Sequence, residues 1–354
     1  MKILILCPYP PQQAPSQRFR FEQYVDFLTE KHISYRQESF LDSSTWKILY
    51  QKGHFFQKIK GILKGFLKRF LVLFSVFSYD YVLVHREASP LFFPIFEYII
   101  AVIFRKKIIF DFDDAIWLPN TSENNRGVAW LKYHQKTRLI CSWAYKISAG
   151  NDFLCDYARS FNANVVYNPT TVDTENWHNS PKIHENKKVV IGWTGTHSTM
   201  QYLNELLPVF ENLEKKYAFE LLIISNQKPD FELKSLRFCV WKKETEIADL
   251  LQMDIGIMPL QDDAWAKGKC GFKALQYMAL GIAAVVSPVG VNAQIVDENK
   301  NGFLCENLED WENKLALLLE NFELRQQMGF AARQKIVQNY SVVSNRDNFL
   351  RLFS

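Results

Sequence analysis

The sequence predicts an α/β protein made of two halves, each a parallel sheet with helices on its faces. Two observations carry that class. Short apolar runs of buried-strand length alternate with helix-periodic segments along most of the chain. The alternation lapses once, in a polar, aperiodic segment at 173–187, and then restarts. With 354 residues the chain is long enough for two cores. The expected layout is a Rossmann-like domain at 1–172, a linker at 173–187 and a second Rossmann-like domain at 188–334. Two such domains facing each other leave a cleft at their strand ends.

Composition narrows the function classes. The chain is 48% hydrophobic and 23% charged, so it folds into a globule. Its net charge of +4 is too small to argue for nucleic acid. The six cysteines are scattered without metal-ligand spacing, which reads as reduced core residues of a cytosolic protein. The apolar run at 2–7 is too short for a signal peptide, and the tract at 70–77 is too short to span a bilayer.

The strand at 2–7 is followed by Ser16-Gln17-Arg18-Phe19-Arg20, entering a helix marked by Phe21, Val25 and Leu28. Arg18 and Arg20 at that entry either face a ligand or solvate the helix. Residues 55–77 carry Ile59, Leu63, Phe66, Phe70 and Phe74 at helical intervals, with five basic residues and no acidic one between Lys58 and Arg69. Such a helix lies in the headgroup layer of an anionic membrane or packs on the sheet with its lysines solvated. A strand at 79–84 ends at His85-Arg86-Glu87, a helix spans 91–104, and a strand at 107–110 ends at Asp111-Phe112-Asp113-Asp114. Strand carboxyl ends are where open parallel sheets bind ligands. The acidic cluster suits sugar hydroxyls or acid/base work, with a divalent metal, a helix cap or plain surface charge as alternatives. A strand at 144–149, a helix from 152 and the run 165–167 into Asn168-Pro169 complete this half.

The second half opens with a strand at 189–192 and the small-residue loop Trp193-Thr194-Gly195-Thr196-His197, with Ser198 or Thr199 placed to cap the next helix. Strands at 219–224 and 237–241 and a helix at 244–252 lead to a strand at 254–260. The loop Gly268-Lys269-Cys270-Gly271 and a helix from Phe272 to Leu280 follow. Free N–H groups at a glycine-ended helix start form an anion cradle, and Lys267, Lys269 and Lys273 surround it. An ordinary turn with surface lysines is the alternative. A strand at 282–286 and two or three helices over 308–354 finish the chain.

The segments Asp254-Ile255-Gly256-Ile257-Met258-Pro259-Leu260, Gly271-Phe272-Lys273-Ala274-Leu275-Gln276-Tyr277-Met278-Ala279-Leu280-Gly281, Ser287-Pro288-Val289-Gly290 and Asn301-Gly302-Phe303-Leu304 resemble a family 4-type retaining glycosyltransferase. The resemblance implies the GT-B fold, with the last helix (335–354) crossing back to the N-terminal domain. It implies a nucleotide-sugar donor held by Gly195, Thr196, Lys269, Gly271, Phe272, Lys273 and Gln276. It implies transfer of a hexose-type sugar with retention, with no metal and no cofactor, to a glycan or lipid-linked acceptor. Asp113, Asp114 and Lys273 are the expected catalytic groups, and Arg18, Arg20, His85, Arg86 and Glu87 line the acceptor side. The family carries two glutamates eight positions apart where this chain has Gly268 and Gln276. A non-catalytic nucleotide-sugar-binding or scaffolding protein is the alternative, and a GT-B sugar-phosphate enzyme such as an epimerase a third. The expected location is cytoplasmic, peripheral on the inner membrane face through 55–77.

Overall fold

The structure is a computed structural model that describes residues 1–49, 51, 53–119, 133–185 and 188–354. It divides into two compact units, Met1–Thr170 with Arg346–Ser354, and Thr171–Asn345.

The first unit is a six-stranded parallel sheet: β1 (Lys2–Cys7), β2 (Ser34–Ser39), β3 (Tyr81–His85), β4 (Lys107–Phe112), β5 (Lys146–Ala149) and β6 (Val165–Tyr167), in the order β2-β1-β3-β4-β5-β6. β1, β3 and β4 are buried on both faces, as expected for apolar strands covered by helices on each side. β2 is absent from the sequence expectation because it is a polar edge strand, Ser-Tyr-Arg-Gln-Glu-Ser, with a single buried residue. The helix expected from Arg18 breaks into Pro15–Arg18, a 3-10 turn at Glu22–Tyr24 and Val25–Glu30. The helix expected at 91–104 is Ile95–Tyr98 continued by a π-turn at Ile99–Ile103.

The second unit holds β7 (Val189–Gly195), β8 (Phe219–Ser225), β9 (Leu236–Val240), β10 (Ile255–Met258), β11 (Ala283–Val286) and β12 (Gly302–Leu304), all parallel, in the order β12-β11-β10-β7-β8-β9. The winding direction reverses between β7 and β10, and in the first unit between β1 and β3. Crevices at such reversals are where this architecture holds ligands. Residues 173–185, expected as linker, belong to the second unit, and Asn186 and Lys187 lie outside the described residues. Arg333 fastens this stretch by donating to the carbonyls of Thr174, His178 and Ala279. The chain rejoins the first unit at Arg346. There the Lys146 ammonium donates to the carbonyls of Arg351 and Ser354, at 2.5 and 2.9 Å.

The helix Phe55–Leu73 has its faces reversed relative to an ordinary surface helix. Its buried side is Gly61, Gly65, Arg69, Val72 and Leu73. A Cβ at Gly61 would strike the Thr45 side chain, and one at Gly65 would sit 2.7 Å from the Phe40 ring, so the glycines let the helix backbone close on residues 40–45. Arg69 is 1% exposed and donates to the carbonyls of Ala88 and Cys7, both at 2.7 Å. The opposite side presents Phe56 at 84% and Phe74 at 72% exposure.

Candidate functional site

In the second unit the two glycine loops meet at one place. β7 ends at Gly195, and a Cβ there would stand 2.6 Å from the Trp193 ring and 2.9 Å from Cε of Lys273. Lys273 belongs to the helix Phe272–Ala279, and its ammonium lies 5.6 Å from the Trp193 ring centre. Tyr277, one turn on, accepts a hydrogen bond from the Thr194 N–H at 3.0 Å, fixing the end of β7 to the same helix. Burial pushes the Tyr277 phenol above its ordinary pKa, so it stays neutral.

Gly271 opens that helix with φ +66, a left-handed conformation natural to glycine, and no side chain caps the helix start. A Cβ here would collide with Ile295. A helix start favours an anion through its dipole and its backbone N–H groups. Gln276 is 2% exposed, and its Nε2 has no hydrogen-bond partner among the described residues. An orphaned buried donor calls for an explanation, and an acceptor from a ligand or a water is one. Lys269 packs over Trp265, its ammonium 5.3 Å from the ring centre. Across the loop, Thr196 rather than Ser198 or Thr199 is the N-cap residue of His197–Asn204, and its hydroxyl pairs with that of Ser198 at 2.9 Å. His197 is exposed and its N–H donates to Asn226.

In the first unit the candidate residues separate into two layers. The lower is a buried network: Asp111 holds Arg20 at 2.5 Å, Ser148 at 2.6 Å and His85 Nδ1 at 2.8 Å. Arg20 also donates to the Asn168 carbonyl. Burial opposes the Asp111 charge, but Arg20 and the His85 hydrogen bond outweigh it and hold the carboxyl below its usual range. Arg20, expected to line the acceptor site, is wholly buried and braces β4 against the loop after β6. Arg18 is also buried, its guanidinium 5.0 Å from the Phe19 ring centre. His85 is fully buried, and its Nε2 has no partner among the described residues.

The upper layer is partly open. Arg86, at φ +59, reaches Asp113 at 2.7 Å and Asp114 at 2.8 Å. Burial works against the Arg86 charge, but the two aspartates overcome it and raise its pKa; Arg86 in turn lowers that of Asp113 against the effect of burial. Asp111, Asp113 and Asp114 do not converge on a point: the first faces Arg20 and His85, the others share Arg86. Glu87 pairs with Lys136, which also donates to the carbonyls of Ser89 and Pro90. Sequence reasoning missed Lys136, Ser148 and Asn168 as partners in these networks, because each lies far along the chain from the residue it serves.

Residues 173–335 match the family model described as glycosyl transferases group 1. A poly(ribitol-phosphate) alpha-N-acetylglucosaminyltransferase of Staphylococcus aureus (strain COL) is 34% identical over 64 residues, which are 18% of this chain and 13% of that protein. The matched segment therefore spans far less than two thirds of that relative. Sucrose-phosphate synthase from Thermosynechococcus elongatus superposes with a TM-score of 0.70 over 100% of this chain and 98% of that one, at 10% identity. Anabaena HepE, solved with UDP and glucose, superposes with a TM-score of 0.65 over 99% and 98% of the two chains, at 13% identity. These likenesses show the fold: two parallel α/β units of the GT-B class.

Proposed function

We propose that this protein is a glycosyltransferase. It moves a hexose-type sugar from a nucleotide-sugar donor to a hydroxyl of a glycan or lipid-linked acceptor, with retention and without a metal or cofactor. The observation that carries the reading is the meeting of Lys273 with Gly195 beside the helix start at Gly271. The donor diphosphate binds there, and the helix N–H groups and Lys273 stabilise the charge that develops on the leaving phosphate. Thr196, Lys269 and Phe272 border the phosphates, and the orphan amide of Gln276 donates to a ribose or sugar hydroxyl. The first unit binds the acceptor. Asp113 and Asp114 orient its hydroxyl, Glu87 borders it, and Arg86 holds the two carboxylates in place; His85 supports the site from below through Asp111. The match of residues 173–335 to the family model and the UDP in the HepE structure support this reading. The work is done on the cytoplasmic side, at the inner membrane face.

Calorimetry with UDP, GDP, ADP and CMP tests the assignment. Lys273→Ala is expected to weaken the best of these by about 1.5–3 kcal/mol, the scale of a charge-assisted hydrogen bond. Equal affinity in the variant would make Lys273 a bystander. The neutral pair Gly268 and Gln276 favours a second reading, a nucleotide-sugar-binding protein that does not catalyse. Transfer or hydrolysis of any bound nucleotide-sugar eliminates it.

A further inference from the structure

The helix Phe55–Leu73 buries glycine and arginine and exposes phenylalanine and leucine, the reverse of what aqueous folding favours. At about 100° per residue, Phe56, Ile59, Leu63, Leu67, Phe70 and Phe74 fall within about 80° of one another, opposite the buried Gly61, Gly65 and Arg69. The stripe does not end with the helix. Phe77 packs on Phe104 with ring centres 4.6 Å apart, and Phe66 lies 6.1 Å from Phe92. Phe92, Phe93, Val102 and Ile103 are themselves exposed. Two neighbouring elements thus present one apolar face.

The two segments that build this face carry mostly basic residues, one of which, Arg69, is buried behind it. Residues 55–78 hold five basic residues and no acidic one; 91–107 hold Arg105, Lys106, Lys107 and a single carboxylate, Glu97, which is buried. Lys60, Lys64 and Lys68 form a flank along one side of the stripe. Lys64 and Lys68 reach Asp42 and Glu38, Lys64 remaining largely accessible and Lys68 half-buried. No helix among the described residues is long and apolar enough to cross a membrane. An apolar band with a cationic border suits shallow burial among acyl chains beneath anionic headgroups.

We infer that the first unit docks on anionic lipid bilayers through this two-element face, with the 55–74 stripe and the 92–103 segment inserted together. The inference rests on the lipid-facing side of the proposed function and is independent of the donor chemistry. The test is co-sedimentation of the full chain with vesicles of phosphatidylcholine alone or mixed with phosphatidylglycerol. The wild type is expected to bind the mixed vesicles at least about tenfold more tightly than the neutral ones at low salt, and to keep part of that binding at high salt because the stripe inserts. The combined variant Leu63→Ser, Phe70→Ser, Phe74→Ser loses the binding while retaining its melting temperature and its affinity for whichever of UDP, GDP, ADP and CMP the wild type binds. A wild type that stays in the supernatant with both vesicles overturns the inference. So does a wild-type dimer that the variant converts to monomer without any vesicle affinity, since a second copy would then cover the face. Vesicle binding by a protein without nucleotide affinity supports the docking face and removes only the donor assignment.

Discussion

Asp111 divides its two oxygens among Arg20, Ser148 and His85, and every one of these groups is buried. Removing its charge takes from the buried Arg20 guanidinium the carboxylate it is hydrogen-bonded to. Asp111→Asn should therefore destabilise the first unit by about 3–5 kcal/mol, measured by urea unfolding. The pH dependence has a defined sign. The folded pKa of Asp111 lies below its unfolded value, so its contribution is complete above the unfolded pKa, about 3.9, and is lost as pH falls toward the folded one. The variant should lack that part of the acid limb; superimposable acid profiles would show the carboxylate is not what Arg20 depends on. Such a network is invisible in sequence, since Arg20 and Asp111 are 91 residues apart and an arginine at a helix entry reads as solvent- or ligand-facing. Gly271, by contrast, announces its role locally. Gly271→Ala should cost at least about 1–2 kcal/mol from the left-handed backbone alone, with more from the Ile295 contact, and should lower the melting temperature of the second unit.

At the scale of elements, apolar runs revealed β1, β3, β4, β10 and β11 because central parallel strands are buried on both faces. Polar edge strand β2 offered no such pattern. For the helix Phe55–Leu73 the period was legible and the orientation was not: periodicity shows that a stripe exists, and only the packing partners, Thr45 and Phe40, decide which side is covered. The two sides should respond oppositely to mutation. Gly65→Leu forces a side chain into the Phe40 ring and should cost about 1–3 kcal/mol or more. Leu63→Ser, at a position 63% exposed, should stay within about 0.5 kcal/mol of the wild type in thermal denaturation. A large loss at Leu63 would mean the stripe is part of the core.

For the whole molecule, the candidate donor residues fall in one unit and the buried Asp111 network in the other. A nucleotide at 100 times its dissociation constant should stabilise the fold by about 2.7 kcal/mol. Hydrogen exchange should place the new protection at 192–199 and 268–276. Protection confined to the first unit would move the donor site there and end the assignment to Lys273. The first glycine loop of that site was readable because it follows β7 directly, and the second, set off from β10 by the short helix Ala264–Lys267, because Gly271 opens the next helix. Their meeting was not, since it depends on β7 and β10 being neighbours across the point where the winding reverses.

The reversed helix has a mechanical consequence. One protruding residue on a surface is a pivot, about which a protein can roll. A stripe along a 19-residue helix is a keel about 28 Å long, and the second apolar segment beside it resists tipping across that axis. Docked on a bilayer as inferred above, the first unit would keep one attitude to the plane and turn only about its normal. Arg69, bonded to the Ala88 carbonyl, carries that attitude to the loop that follows His85, Arg86 and Glu87. Polarised fluorescence from the tryptophans on oriented bilayers would register it as a fixed tilt.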